Sequence, residues 1–288
     1  MNADELLLSA VLKCQRVDLY ADPRPLTAQE QETYDSMRAR YQNGEPLQYV
    51  LGECDFLGCT LAVNPDVLIP RPETEILVDI IIQKLESSKF AKPCRILDLG
   101  TGSGNIAIAL AKAIELCHVT ALDISEEAIA VAERNAVANG VAQKIEFLRE
   151  DMRASLVANR AWMKNFDCIV SNPPYIKTSA IEHLPADVRQ EPRLALDGGA
   201  DGLRFYETII RRAHQYLKPE GFLFFEVGDD QAAAVKALLT QNPFYRNICF
   251  YPDHTQIDRI VCSQTDKVVC SKTDKVVCEQ KDEHTWKS

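Results

Sequence analysis

Between residues 95 and 262 the chain alternates short apolar runs with amphipathic stretches, and few architectures accommodate that order. Residues 95–99, 119–123, 145–148, 167–170 and 221–227 are mostly apolar and read as buried strands. Residues 106–116, 126–139, 203–217 and 230–239 read as helices, as does 75–85 ahead of them. Final strands are expected at 244–251 and 258–262. The pattern predicts an α/β fold, a mostly parallel sheet with helices on both faces. In open sheets of that kind, ligands bind beyond the carboxyl ends of the strands.

Ahead of this unit the pattern differs. Leu6, Leu7, Ala10, Val11 and Cys14 fall near one helical face, and Asp22-Pro23-Arg24-Pro25 breaks it. Thr27 and Glu30 have capping-box spacing and open a second helix through about Arg40, ended by Asn43-Gly44. Residues 1–45 are therefore expected to form a small helical domain, either a docking module or a structural cap. In 46–74, Gln48-Tyr49-Val50 and Thr60-Leu61-Ala62-Val63 read as strands around Gly52 and Gly58, a β-hairpin connector. Residues 75–262 form the main domain. The tail, 263–288, carries a direct repeat, SQTDKVVC then SKTDKVVC. Two short copies fall below a solenoid, and the expectation is a partly disordered extension, with extra edge-strand pairing as the alternative.

A net charge of −10 and a pI near 5.1 argue against affinity built on phosphate neutralisation. No direct nucleic-acid binding is expected. Ten cysteines are scattered, with no C-x-x-C pair and no His at zinc-ligand spacing, so no metal is expected. Eight-residue spacing of Cys262, Cys270 and Cys278 matches no known ligand geometry. Thiols in apolar runs, the lack of a signal-peptide pattern and of any apolar run long enough to span a membrane point to a reducing cytoplasm.

Chemistry is expected at two strand ends. Asn172-Pro173-Pro174-Tyr175 follows the strand at 167–170. Its prolines cannot donate to a ladder, so they stop the strand and stiffen the loop. The result is a rigid platform with one amide and one ring, suited to a flat neutral group such as a carboxamide or the amino edge of a base. Gly100-Thr101-Gly102-Ser103-Gly104 joins another strand to a helix, where free N–H groups favour a carboxylate or phosphate. Asp123 ends the next strand and can bind both hydroxyls of a ribose. A dinucleotide or S-adenosyl-L-methionine fits this layout. The G-x-G-x-G spacing is not the full dinucleotide fingerprint, and a dehydrogenase gives the Asn-Pro-Pro-Tyr loop no role. Asp151 could reach an adenine amino group and Met152 could pack on its ring, or both could belong to an ordinary polar loop.

With these residues the chain resembles the protein-(glutamine amide) methyltransferases of peptide chain release factors, the PrmC/HemK family. The resemblance spans roughly residues 45–262. It rests on Pro46-Leu47-Gln48-Tyr49, Leu68-Ile69-Pro70-Arg71-Pro72-Glu73-Thr74-Glu75, the loop from Asp98 to Gly104, and Asp123-Ile124-Ser125. It continues through Ser171 to Ile176, Glu191-Pro192, Ala195-Leu196, Gly198-Gly199, Asp201-Gly202-Leu203 and Phe225-Glu226-Val227-Gly228. It implies a Rossmann-like class I methyltransferase sheet whose last strand is antiparallel, with S-adenosyl-L-methionine as cofactor and class I release factors as partners. The implied reaction is methylation of the glutamine in a Gly-Gly-Gln loop. Gly100 to Gly104 would hold the methionine end of the cofactor, Asp123 the ribose, and Asn172 to Tyr175 the glutamine. The Asn172 side-chain oxygen and the Pro173 carbonyl would accept the two N–H bonds of the amide, with Tyr175 on its flat face. Arg71 and Glu73, in a Pro-bounded turn near the domain junction, would form a structural ion pair or contact the bound loop or the cofactor. The family usually has Trp where Met152 stands, and a Gly near Thr255-Gln256-Ile257. A ribosomal-protein glutamine methyltransferase is the nearest alternative. An adenine amino-group DNA methyltransferase is less favoured, because no basic recognition region is visible.

Overall fold

The computed structural model describes residues 2–21, 24–88, 90 and 92–266. The second repeat copy and the rest of the tail from 267 lie outside the described residues.

Helices α1 (Ala3–Leu12), α2 (Asp18–Ala21) and α3 (Ala28–Gln42) form the N-terminal unit. The capping box is present: the Glu30 N–H donates to Thr27 Oγ1 at 3.3 Å, and the Thr27 N–H to the Glu30 carboxylate at 2.8 Å. Residues 48–50 are not a strand. They lie in α4 (Leu47–Leu51), whose first carbonyl partner is Pro46 and whose end is Gly52. Burial overrides the β preference of Tyr49 and Val50 here. Tyr49 packs with Val63, Val67, Ile69, Ala128 and Val131, and its hydroxyl donates to the Val67 carbonyl at 2.6 Å. The hairpin follows as β1 (Glu53–Phe56) and β2 (Cys59–Ala62), with Glu53 opposite Ala62 and Phe56 opposite Cys59. Phe56, Cys59 and Leu61 enter the main core, so the hairpin is held by burial of roughly 2 kcal/mol per large side chain.

Helix α5 (Pro72–Ser87) starts three residues before the expected 75, with Pro72 in its first turn, where the missing N–H costs nothing. Then come β3 (Cys94–Leu99), α6 (Asn105–Ala113), β4 (Cys117–Asp123), α7 (Glu126–Ala138) and β5 (Ile145–Arg149). They are followed by α8 (Met152–Ala158), β6 (Phe166–Ser171), the short β7 (Ile176–Lys177), α9 (Arg193–Leu196) and β8 (Asp197–Gly199). The chain continues as α10 (Arg204–Ala213), β9 (Leu217–Glu226), α11 (Ala232–Gln241), β10 (Tyr245–Pro252) and β11 (Asp258–Thr265). Residue 217, expected at the end of a helix, opens β9, because Leu217 pairs beside Phe166. The last strand runs beyond 262 to Thr265, which lies opposite Tyr245. Ser263, Gln264 and Thr265 of the first repeat copy are therefore strand residues.

Seven strands form one sheet in the order β10-β11-β9-β6-β3-β4-β5. β3, β4, β5, β6 and β9 are parallel, and β11 runs antiparallel to both its neighbours. The family's antiparallel last strand is thus present, inserted between β9 and β10. Period-two alternation divides the core between two faces. Ile96 packs on the α5–α6 side, and Leu97 on the side that holds Tyr206 and Phe225. From β3 the strand order runs one way to β4 and β5, and the other way to β6 and β9. The switch point between β3 and β6 is where a crevice must open.

Candidate active site

A cavity of about 550 Å³ lies at that point, beyond the carboxyl ends of β3, β4, β5 and β6. Gly100 and Gly102 line it with Asp123, as do Asp151, Met152, Asn172 and Pro174. The glycine loop, the acid of the next strand and the Asn-Pro-Pro-Tyr loop, far apart in sequence, line one cavity. Thr101, Ser103, Gly104, Pro173 and Tyr175 are not on its lining.

The glycine loop is anchored from behind. The N–H groups of Gly100 and Thr101 both donate to the Leu122 carbonyl, at 2.9 and 2.8 Å. The Thr101 hydroxyl turns away from the cavity to Asp98 Oδ2, at 2.7 Å. The Ser103 carbonyl accepts from Asn135 Nδ2 at 2.9 Å. Asn135 also brackets the hairpin through the Ala62 N–H and carbonyl, at 2.8 and 3.0 Å. Gly104 faces α7, where an added Cβ would stand 3.1 Å from the Ala132 Cβ. Its role in the fold is close helix packing. Gly100 has φ +80, and a Cβ there would point at Met152 Cε, 3.1 Å away. Only glycine keeps that floor bare.

Two acids flank the loop. Asp123 accepts the Gly102 N–H through one oxygen at 2.9 Å and the Ser125 N–H through the other at 3.0 Å. Burial pushes its carboxyl up, while those amides favour the ionised form. Each oxygen keeps accepting capacity for a hydroxyl. Asp98 is fully buried at the end of β3. Burial raises it to about 7; the Thr101 hydroxyl opposes the shift and the nearby Asp123 adds to it. Asp151 caps α8 and is engaged by Arg153, with 2.6 Å from Nη2 to Oδ2. That pairing holds its carboxyl below the usual range.

Strand β6 delivers the platform. The Ser171 hydroxyl donates to the Leu99 carbonyl at 2.6 Å, tying β6 to the glycine strand immediately before Asn172. Asn172 Nδ2 points at Thr74 Oγ1, 3.4 Å away, and that hydroxyl donates to Glu226 Oε2 at 2.5 Å. Burial pushes the Tyr175 phenol up to about 12, so it stays neutral near pH 7. The backbone of Tyr175 sits in a glycine cradle. A Cβ on Gly198 would stand 2.7 Å from its Cα, one on Gly202 would overlap its carbonyl oxygen, and one on Gly228 would stand 3.2 Å from its ring. Buried Gln231 closes the cradle, donating through Nε2 to the carbonyls of Tyr175 and Gly202 at 2.9 and 3.2 Å. Its Oε1 accepts the Gly228 N–H at 3.2 Å.

Sequence reasoning left Thr74, Glu226 and Gln231 without roles. An acid closing the apolar run at 222–226 is a readable signal for Glu226, since buried carboxylates are rare without partners. Nothing marks Gln231, whose partners are backbone groups of distant loops. Arg71 does form an ion pair, but with buried Glu191 rather than Glu73. Glu191 also accepts the Ile69 N–H at 3.3 Å, joining the Ile69-Pro70-Arg71 segment to the loop before α9. Among the described residues, no three His, Cys, Asp or Glu side chains are grouped to hold a metal ion. No described helix is long and apolar enough to cross a membrane.

Comparison with known proteins adds the following. Residues 90–286 match the methyltransferase domain family, and residues 2–52 match the PrmC N-terminal domain. The release factor glutamine methyltransferase of Geobacter sulfurreducens is 41% identical over 260 residues, covering 89% of this chain and 87% of that protein. The enzyme of the same name from Thermodesulfovibrio yellowstonii is 40% identical, covering 90% of each. Among solved structures, a methyltransferase from Pyrococcus furiosus superposes with a TM-score of 0.52 at 18% identity, covering 84% of this chain and all of that one. That likeness bears on the fold alone.

Proposed function

The chain belongs to the release factor glutamine methyltransferases, and on that footing we propose that it methylates the side-chain amide nitrogen of the glutamine in the Gly-Gly-Gln loop of class I peptide chain release factors. It is an S-adenosyl-L-methionine-dependent enzyme. The observation that carries the reading is that Asn172 lines the same cavity as Gly100, Gly102 and Asp123. A rigid amide platform beside a nucleoside-type site suits methylation of an amide.

The cavity residues fit the cofactor. Gly100, at φ +80, keeps the lining beside Met152 free of a side chain, and Asp123 offers two accepting oxygens to a diol. Gly100 and Gly102 would hold the methionine end, with Thr101, Ser103 and Gly104 shaping the loop from behind. Asp123 would hold the ribose. Met152 would pack on the adenine, with Asp151 at its edge. When bound, S-adenosyl-L-methionine supplies a methyl group already activated on a sulfonium.

The chain's own task is orientation of a poor nucleophile, because the amide nitrogen shares its lone pair with its carbonyl. Asn172 Oδ1 on the cavity lining accepts one N–H bond of the glutamine amide; the Pro173 carbonyl and the Tyr175 ring, which lie off that lining, complete the platform once the substrate is seated. Fixing a reacting group in this way is worth on the order of 7 kcal/mol or more in favourable cases. Residues 1–45 serve as the docking unit for the release factor, 46–74 as the connector, and the residues from 75 as the methyltransferase domain. The enzyme works in the cytoplasm, and its net charge of −10 gives no reason to add nucleic acid as a direct ligand.

Asn172→Ala is the test. Removing an orienting acceptor is expected to cost turnover about 100-fold or more, while affinity for the cofactor stays within about threefold of wild type. Unchanged turnover in that variant would remove Asn172 from the proposed role.

A further inference from the structure

We propose that Thr74 and Glu226 are a positioning pair that determines which end of the Asn172 amide faces the substrate. The inference rests on the reading of Asn172 as an acceptor for a glutamine N–H bond.

An asparagine amide has two ends of nearly equal size, one accepting and one donating. Only the accepting end serves a substrate that brings N–H groups. The loop prolines fix the Asn172 backbone but do not choose the end. The neighbours behind Asn172 do. Thr74 Oγ1 lies 3.4 Å from Nδ2, and with Glu226 ionised its single proton goes to Glu226 Oε2 at 2.5 Å. Toward Asn172 the hydroxyl therefore presents lone pairs alone. The Asn172 side chain in turn favours the ionised form of Glu226. With acceptors behind it, the amide turns its NH2 inward and its oxygen outward. A flipped amide would set its oxygen against the Thr74 lone pairs and its NH2 against the donors of the substrate.

Three separate elements meet to build this arrangement. Thr74 is in the first turn of α5, Asn172 follows β6 and Glu226 ends β9. Thr74 and Glu226 are 1% and 2% exposed, and neither lines the cavity. Their reach toward the substrate is through Asn172. Glu226 makes no ion pair among the described residues, and burial pushes its carboxyl up to about 7. A carboxyl held at that cost for packing alone would be better replaced by an apolar side chain.

The experiment is a double-mutant cycle on full-length enzyme, with release factor and labelled S-adenosyl-L-methionine. Thr74→Val keeps shape and removes the hydroxyl; Thr74→Ser restores it. Thr74→Val and Glu226→Gln are expected to lower kcat about tenfold or more, with KM for the release factor and Kd for the cofactor within about threefold of wild type. Thr74→Ser should recover most of the loss. In the Asn172→Ala background Thr74→Val should cost nothing further, because there is no amide left to orient. Full activity of Thr74→Val, or the same fold-loss in both backgrounds, overturns the proposal. The Thr74 pair decides the matter even where Glu226→Gln does not fold. If the wild type labels another acceptor and no release factor, the substrate reading has failed, and the same cycle run on that acceptor still tests the pair.

Discussion

Asp98 lies behind the cavity lining, next to the glycine loop, and its ionisation changes the charge there. It sits behind Gly100 at the end of β3, fully buried and raised to about 7 by that burial. S-adenosyl-L-methionine carries a sulfonium and an ammonium, and cations nearby favour the carboxylate form. Below pH 7 Asp98 is mostly protonated, and a cationic ligand nearby favours its loss of that proton. Above pH 7 it is mostly ionised already. Affinity is therefore expected to weaken as pH falls through about 7, by at most about tenfold per unit, with a proton released on binding. Calorimetry at pH 6 and pH 8 in buffers of different ionisation enthalpy measures both effects, and Asp98→Asn should flatten them. A pH-independent Kd in the wild type would contradict the account. Residue identity along the cavity wall was readable: Gly100, Gly102, Asp123 and Asn172 stand out by type and by their place at strand ends. Which neighbours turn toward the cavity was not readable. Thr101 has the same donor and acceptor whether it faces a ligand or Asp98, and the structure turns it to Asp98.

At the scale of elements, the Asn-Pro-Pro-Tyr loop owes its shape to glycines that belong to other segments. Gly202 has φ +78, and a side chain there would collide with the Tyr175 carbonyl oxygen. Gly202→Ala is expected to lower stability by roughly 2 kcal/mol, from backbone strain and overpacking together. It should reduce methyl transfer far more than cofactor binding, since the cradle holds Tyr175 and not the glycine loop. Denaturant unfolding and turnover on the same preparation check this, and normal turnover would show that the cradle is dispensable. The opposite case is the turn before β11. Gln256 takes φ +66 where the family usually has glycine nearby, and Asp253 holds the turn by accepting the N–H groups of Thr255 and Ile257. Gln256→Gly should relieve about 1 kcal/mol of left-handed strain, partly offset by unfolded-state entropy. The expected result is equal or slightly higher stability and unchanged activity; a clear loss of stability would contradict it. Capping at Thr27 and Glu30 was plain in the sequence because the signal is local. Residues 48–50 misled because Tyr and Val prefer strands, and the contact that makes them helical, Tyr49 against Val67 and Val131, is made with segments further along the chain.

For the whole molecule, the alternation of strands and helices carried the parallel sheet, and the glycine loop marked the edge where the cavity opens. Strand order was beyond it. Insertion of β11 between β9 and β10 depends on which edge is left open once β9 has paired with β6, a consequence of assembly rather than of any residue in β11. The docking of the hairpin was equally hidden, since Asn135 joins Ala62 to Ser103 across 73 and 32 residues. What the assembled fold produces is one cavity lined by both the glycine loop and the Asn-Pro-Pro-Tyr loop. The most direct test is to incubate the enzyme with labelled S-adenosyl-L-methionine and three acceptors: a full-length class I release factor, a ribosomal protein with a glutamine site, and DNA. Mass spectrometry then locates the methyl group. The account predicts label on the Gly-Gly-Gln glutamine of the release factor and on neither other acceptor. Label on DNA or on the ribosomal protein, with none on the release factor, would contradict it.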